Sequence, residues 1–237
     1  MLIFLEANIG GGKTSFAERL KEFQNLLGFK IALEPVDEWL NTKDTSGKNI
    51  LQHYYENPTK VSFAFQMNSF ISRCKRLEDF EHHKTDIIME RSVYSDYHCF
   101  AKTCFENKTM TEMEYIIYKK WFEWLTKSFN IQSSGYIYIR TTPEECLKRI
   151  EKRSRNSECS IPLEYLQTLH KKHDDWLLKD ENVLVLDGNK NFLDDDKIFK
   201  DYLKQMIQFI NKIKQKTQKT KQQQKTNIHE QIDAKCK

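Results

Sequence analysis

Residues 2–15 read Leu-Ile-Phe-Leu-Glu-Ala-Asn-Ile-Gly-Gly-Gly-Lys-Thr-Ser, and this run limits the possible folds more than any other part of the chain. Its opening apolar residues are too few for a helix face and fit a short strand buried on both sides. Gly10, Gly11 and Gly12 follow. Glycine accepts positive φ without a steric penalty and lets backbone N–H groups come close to a ligand. From Ser15 to Leu27, apolar residues recur at Phe16, Leu20, Phe23 and Leu27, the spacing of one helix face. A strand, a glycine turn, Lys13-Thr14 and then a helix is the context of a phosphate-binding loop. The loop would comprise Ala7, Asn8, Ile9, Gly10, Gly11 and Gly12, with Ser15 just inside the helix. Its N–H groups and the helix N-terminus would hold phosphate oxygens, Lys13 would reach the outer phosphates, and the Thr14 hydroxyl would sit on Mg²⁺. Ala7 stands where the strict pattern has its first glycine. The alternative, a glycine turn without a ligand, is opposed by the flanking strand and helix.

The rest of the chain alternates strands and helices. Short apolar runs at Lys30–Leu33, Asp86–Met89, Gly135–Ile139 and Val183–Asp187 predict four more strands. Helices are expected at Ile50–Tyr55, from about Lys60 to His82, at Tyr94–Phe105, at Thr111–Phe129 with Thr111 and Glu114 as a capping box, from Pro143, at Pro162–Leu178, and from about Asp194 to Ile213. Five strands separated by helices predict an α/β fold: a five-stranded parallel sheet with helices on both faces, a three-layer sandwich of the P-loop NTPase type. Residues 1–210 would form the domain. The Lys/Gln-rich residues 211–237, which lack apolar periodicity, would form a disordered tail.

That tail also explains the net charge of +4. From Asn211 to Lys237 eight lysines face only Glu230 and Asp233, a net of +6, which leaves −2 for the other 210 residues. A nucleic-acid-binding face is therefore not expected. No apolar run approaches the roughly 20 residues of a membrane span, and the first strand starts at residue 2 with no leader before it, so a cytoplasmic protein is expected. The six cysteines form no Cys-x-x-Cys pair and are expected as reduced, mostly buried thiols. His170 and His173 have metal-ligand spacing but no companion ligands, and are expected as packed helix residues.

In parallel α/β sheets, ligands bind beyond the carboxyl ends of the strands. The polar residues there are Gly10 to Thr14, Glu34, Glu90, Arg91, Arg140 and Asp187. They suit phosphoryl transfer, which needs a phosphate cradle, a metal, a base for the attacking hydroxyl and cations on the migrating group. Glu34 and Glu90 are the candidates for base and metal ligand, and Arg91 lies beside them. Arg149, Arg153 and Arg155 form a second cationic set able to close as a lid.

Four stretches carry a resemblance: Glu34-Pro-Val-x-x-Trp39, Glu90-Arg-Ser-Val-Tyr-Ser-Asp96, Arg149-Ile-x-x-Arg153-x-Arg155 and Ile161-Pro-Leu-Glu-Tyr-Leu-x-x-Leu-His170. In this order and spacing, over roughly residues 2–195, the chain resembles the deoxynucleoside kinases that act on deoxycytidine, deoxyguanosine or several nucleosides. The resemblance implies an ATP- and Mg²⁺-dependent enzyme that phosphorylates a deoxynucleoside 5′-hydroxyl in nucleotide salvage. It implies Glu34 as general base, Arg91 at the hydroxyl and the phosphates, Thr14 and Glu90 near Mg²⁺, and Trp39, Phe65 and Phe100 as aromatic walls. Gln66 would read the base edge, Tyr55 and Glu158 would hold the sugar 3′-hydroxyl, the three lid arginines would close, and Phe192 would lie beside the ATP adenine. The Arg73/Asp96 pair resembles deoxycytidine and deoxyguanosine kinases, whereas thymidine-accepting members carry an apolar residue and Ala there; deoxycytidine or purine deoxynucleosides are therefore expected over thymidine. A homodimer is expected, with an apolar face around Trp121 and Trp124. Two departures stand out: Tyr97-His98 replaces the usual Arg-Tyr, removing one arginine expected near the site, and Ser157 replaces an acidic lid residue. The competing readings are a nucleoside monophosphate kinase of the thymidylate kinase type, which needs no base such as Glu34, and a non-catalytic nucleotide- or nucleic-acid-binding module using the basic tail.

Overall fold

Alternation along the strands sorts the core into two layers. In the computed structural model, which describes residues 1–81, 85–153 and 161–235, the strands are β1 (Leu2–Glu6), β2 (Lys30–Ala32), β3 (Ile87–Glu90), β4 (Gly135–Arg140) and β5 (Val183–Asp187). Successive side chains on a strand point to opposite faces. Phe4, Met89 and Tyr138 accordingly join one apolar layer, and Ile3, Leu5, Ile88 and Ile137 the other. Both layers are covered by helices, as a parallel sheet requires. The strand order is β2-β3-β1-β4-β5, all parallel, so the expected α/β architecture is the one found. β1 lies in the middle, between β3 and β4, where the chain order reverses. This is the crevice in which such sheets bind ligands.

The helices are α1 (Lys13–Lys21), α2 (Gln24–Leu27), α3 (Val36–Asn41), α4 (Ile50–Glu56), α5 (Pro58–Glu81), α6 (Val93–Ser95), α7 (Lys102–Glu106), α8 (Glu112–Ser128), α9 (Pro143–Arg153), α10 (Leu163–Leu177) and α11 (Asp196–Lys235). The Thr111/Glu114 capping box forms as expected, and Asn49 and Gln52 make a second one at the start of α4. Phe16 is fully buried, with its ring edge-on to Phe192 and Phe199 at 5.4 and 5.6 Å, and so anchors α1 to the loop before α11 and to α11 itself.

Three expectations change. The helix expected over Ser15–Leu27 is broken in two, because the Phe23 N–H turns back to the Leu20 carbonyl at 2.9 Å and tightens the chain there. The helix expected over Tyr94–Phe105 contains a wide π-turn at Asp96–Ala101, a form frequent at functional sites. The last helix continues to Lys235 instead of ending at Ile213. It contains neither glycine nor proline, and its lysines and glutamines are good helix formers. Packing also passes residue 210: Ile210 and Ile213 are buried, and the Lys216 ammonium reaches Asn182 Oδ1 at 3.1 Å. Cys74, Cys99, Cys104 and Cys146 are buried free thiols, as expected.

Candidate active site

The loop after β1 turns at Gly10 and Gly12, whose φ angles of 73° and 90° favour glycine. A Cβ on Gly10 would lie 2.4 Å from the Cys146 carbonyl oxygen. Gly10→Ala is therefore expected to cost about 1–3 kcal/mol and to abolish nucleotide binding, to be measured by thermal unfolding and by ATP titration. The Asn8 amide ties the loop to α10, donating to the Leu166 carbonyl at 2.8 Å while its Oδ1 accepts the Ile9 N–H at 2.9 Å. Ala7 is fully buried, and a Cβ on Gly11 would meet its Cβ at 2.8 Å, so this crowded turn admits the small residue that replaces glycine.

Polar side chains converge at the ends of β1, β2 and β3. Thr14 Oγ1 donates to Glu90 Oε1 at 2.5 Å, and Glu90 Oε2 accepts the Glu34 N–H at 3.2 Å. The Glu34 carboxylate accepts from Arg91 Nε at 3.1 Å and from Arg73 Nη2. Arg73 is almost fully buried; its Nη1 donates to both oxygens of Asp96, at 2.7 and 2.6 Å. One guanidinium thus bridges two carboxylates, and its Cζ lies 5.1 Å from the centre of the Trp39 ring. Burial by itself would raise the Glu34 carboxyl, but Arg91, Arg73 and Lys13 overcome it and hold it at about 2. Burial and the Arg91 charge push the Lys13 ammonium down to about 8. Burial pushes the Asp96 carboxyl up, against the pull of Arg73.

Lys13, Thr14, Glu34, Arg73, Arg91 and Asp96 line one cleft with about 740 Å³ of free space, part of it open to solvent. Its walls include Trp39, Tyr55, Phe65, Gln66 and Phe100. Gln66 is buried with no partner for its Oε1, while its Nε2 faces Cys104 Sγ at 3.9 Å. A second cleft lies on the other side of the phosphate loop, lined by Ser15, Arg149, Arg153 and the residues from Asn189 to Asp194. The two clefts share Gly10, Lys13, Thr14 and Arg153, so the loop stands between two binding spaces. That is the layout for moving a phosphoryl group from a donor on one side to an acceptor on the other.

Comparison with known proteins agrees. Residues 3–231 match the family model described as deoxynucleoside kinase. Mouse deoxycytidine kinase is 40% identical over 198 residues, covering 74% of this chain and 75% of that one. Human deoxycytidine kinase is 39% identical over 198 residues, with the same coverage. The mitochondrial deoxyguanosine kinase of Xenopus laevis is 36% identical over 197 residues, covering 74% and 72%. The chain belongs to the deoxynucleoside kinase family.

Most side chains that the resemblance singled out in this kinase meet in the two clefts. Arg155 and Glu158 lie outside the described residues. Phe192 lines the second cleft but is only 2% exposed, packed on Phe16 with its ring edge under Gly12, so it offers an edge instead of an open face. Tyr97 and His98 turn away from the site: Tyr97 stacks on Phe122 at 4.4 Å and His98 on Trp176 at 4.9 Å. Neither Tyr97 nor His98 lines either cleft. His173 is buried, its Nδ1 bound to the Leu169 carbonyl, and burial pushes its imidazole down to about 3, as suits a neutral packed residue. Among the described residues no cluster of three or more His, Cys, Asp or Glu side chains could hold a metal.

The structure adds wall residues that sequence reasoning passed over. Tyr54 stacks on Phe65 at 4.5 Å, its hydroxyl 3.4 Å from that of Tyr165, and Ser69 lies one turn beyond Gln66. Tyr165 falls inside the motif starting at Ile161 and could have been flagged from it. Nothing local marks Tyr54. Lys148 and Lys152, beside Arg149 and Arg153 on α9, line the second cleft.

Proposed function

We propose that this deoxynucleoside kinase uses Glu34 to orient the substrate 5′-hydroxyl toward the phosphate loop and prefers deoxycytidine or a purine deoxynucleoside to thymidine. The observation that carries the reading is the Glu34 carboxylate, held between Arg73 and Arg91 in the cleft that opens onto Lys13. A carboxylate of such low basicity suits the reaction: the loose transition state of phosphoryl transfer depends on positioning more than on a strong base. Glu34 accepts the hydroxyl hydrogen bond and takes the proton late. Lys13 and Arg91 stabilise charge on the phosphoryl group, while Arg149 and Arg153 close from α9, and the resemblance adds Arg155 to them. Trp39, Phe65 and Phe100 give the base flat apolar contact, and Tyr55 with Glu158 holds the 3′-hydroxyl. The free Gln66 Oε1 is an acceptor for an amino group on the base. A charged Arg73/Asp96 pair would crowd a thymine methyl.

Thr14 and Glu90 fit Mg²⁺, which takes one or two protein oxygens and completes its shell with water and phosphate. Bound there, it would neutralise phosphate charge. Met113, Trp121 and Trp124 on α8, 64%, 47% and 57% exposed, support a homodimer through that face. No described helix is long and apolar enough to cross a membrane. A cytoplasmic enzyme whose Lys-rich segment beyond residue 219 is dispensable for catalysis completes the proposal. Rates on the four deoxynucleosides with ATP, with and without Mg²⁺, test it together with the mass in solution. Thymidine ranking first would reject the base preference, and a monomer would reject the α8 interface.

A further inference from the structure

Glu6 ends β1, one residue before the phosphate loop, and has no exposure to solvent. A buried carboxylate is costly unless something answers it, and Phe4, two residues earlier on the same face, shows that this side of the sheet is otherwise apolar. Glu6 Oε1 accepts the Ser92 N–H at 2.9 Å, while Oε2 has no partner. Burial raises the carboxyl, with Arg91 and Lys13 pulling against it.

The residue before Ser92 is strained. Arg91 has φ 62°, a left-handed conformation unfavourable for any side chain with a Cβ. Such residues persist where their surroundings over-determine them. Here β1 does so from both sides of the residue: the Arg91 N–H donates to the Leu5 carbonyl at 2.9 Å, and the Ser92 N–H to Glu6. Ser92 Oγ then accepts the Ser95 N–H at 3.1 Å and starts the next helix. The result is that Arg91 turns back over the cleft, with Nε on Glu34 at 3.1 Å and its guanidinium 4.7 Å over Phe100.

We propose that Glu6 is a positioning residue for Arg91: by accepting the Ser92 N–H it locks the left-handed turn that places the guanidinium on Glu34, and so ties the phosphate-loop strand to the arginine of the transfer site. The proposal rests on the roles given above to Glu34 and Arg91. An apolar residue would fill the space equally well but would leave the Ser92 N–H buried and the turn free to relax.

Three variants test this: Glu6→Gln, Glu6→Met and Glu6→Met in an Arg91→Ala background. Glutamine keeps an oxygen for Ser92 and should hold kcat within about tenfold of wild type, a loss of about 1.4 kcal/mol at most. Methionine keeps the volume but not the acceptor and should lose about 100-fold in kcat, the scale of a misplaced catalytic group, with the KM for ATP nearly unchanged. In the Arg91→Ala background the same change should cost nothing further, because both act through one group. A folded Glu6→Met enzyme with wild-type kcat, an equal loss in both backgrounds, or a Gln variant as damaged as the Met variant overturns the proposal. If Glu6→Met does not fold, Glu6→Asp decides: it keeps the carboxyl group but, one methylene shorter, withdraws the acceptor from Ser92, and full activity in a folded Asp variant overturns the proposal. A fully active Arg91→Ala enzyme would instead overturn the site reading and this proposal with it.

Discussion

Glu34→Gln lowers kcat by about three orders of magnitude, within the range for loss of a general base, while the KM for ATP stays close to wild type. The amide can still accept a hydrogen bond, but it cannot take the proton and no longer attracts Arg73 and Arg91. Steady-state kinetics on deoxycytidine and deoxyadenosine measure the effect. A monophosphate kinase would be spared, since its acceptor is already a phosphate. The pH profile gives a second reading of the same residue. The folded carboxyl sits at about 2, below its usual 4.5, so its ionised form is favoured by folding. Its contribution to stability is present above about pH 4.5 and is lost as pH falls through about 2. Any decline in kcat/KM between pH 7 and 5 must therefore come from another group. An acid limb centred near 4.5 that disappears in the Gln variant would show that Glu34 is not held by the two arginines.

The second large effect concerns Arg73 and Asp96. Arg73→Met removes the guanidinium that bridges Asp96 and Glu34, leaving a buried carboxylate without its partner. Breaking a buried pair from one side costs about 3–5 kcal/mol, and thermal unfolding should show most of it. The double variant Arg73→Met/Asp96→Ala removes both charges and should recover much of that stability, as buried pairs often lose little when both members become apolar. It should also reverse the substrate ranking in favour of thymidine, because the apolar space accepts the methyl group and the polar contacts to an amino-bearing base are gone. A double variant no more stable than the single one, or one still poor on thymidine, would show that the pair does not govern the base pocket. Its kcat should remain below wild type, since Glu34 has lost one of its two holders.

Much of the candidate site is legible in the sequence. The phosphate loop is local: glycines, lysine and threonine must be adjacent in sequence for the backbone to wrap an anion, so the motif is continuous. The strand ends could be read because the five strands are short apolar runs in a rigid βα alternation, and polar residues follow each one. The position of Glu34 relative to Glu90 came only with the structure, which sets β2 beside β3. The other details were not legible for a common reason: they depend on contacts between distant segments. That Arg73 on α5 grips Glu34 as well as Asp96 cannot be read from a seven-residue spacing to Gln66. That Tyr97 and His98 face α8 and α10 depends on the π-turn at Asp96–Ala101, which has no signature in a pattern read at 3.6 residues per turn. The reach of α11 escaped because its later turns carry no apolar stripe, and helix propensity alone is weak evidence.

The sequence by itself determined the fold class, the phosphate loop and the kind of chemistry, because each is written in local order: apolar period, glycine placement, and acids and arginines just past strand ends. Only the tertiary structure decided how those charges pair. Glu34 is held by two arginines from different elements, Glu6 is buried against the turn of a neighbouring strand, and Phe192 is tucked beneath the loop. Such pairings depend on side-chain distances of about 3 Å across the fold, and periodicity along one chain carries no information at that scale.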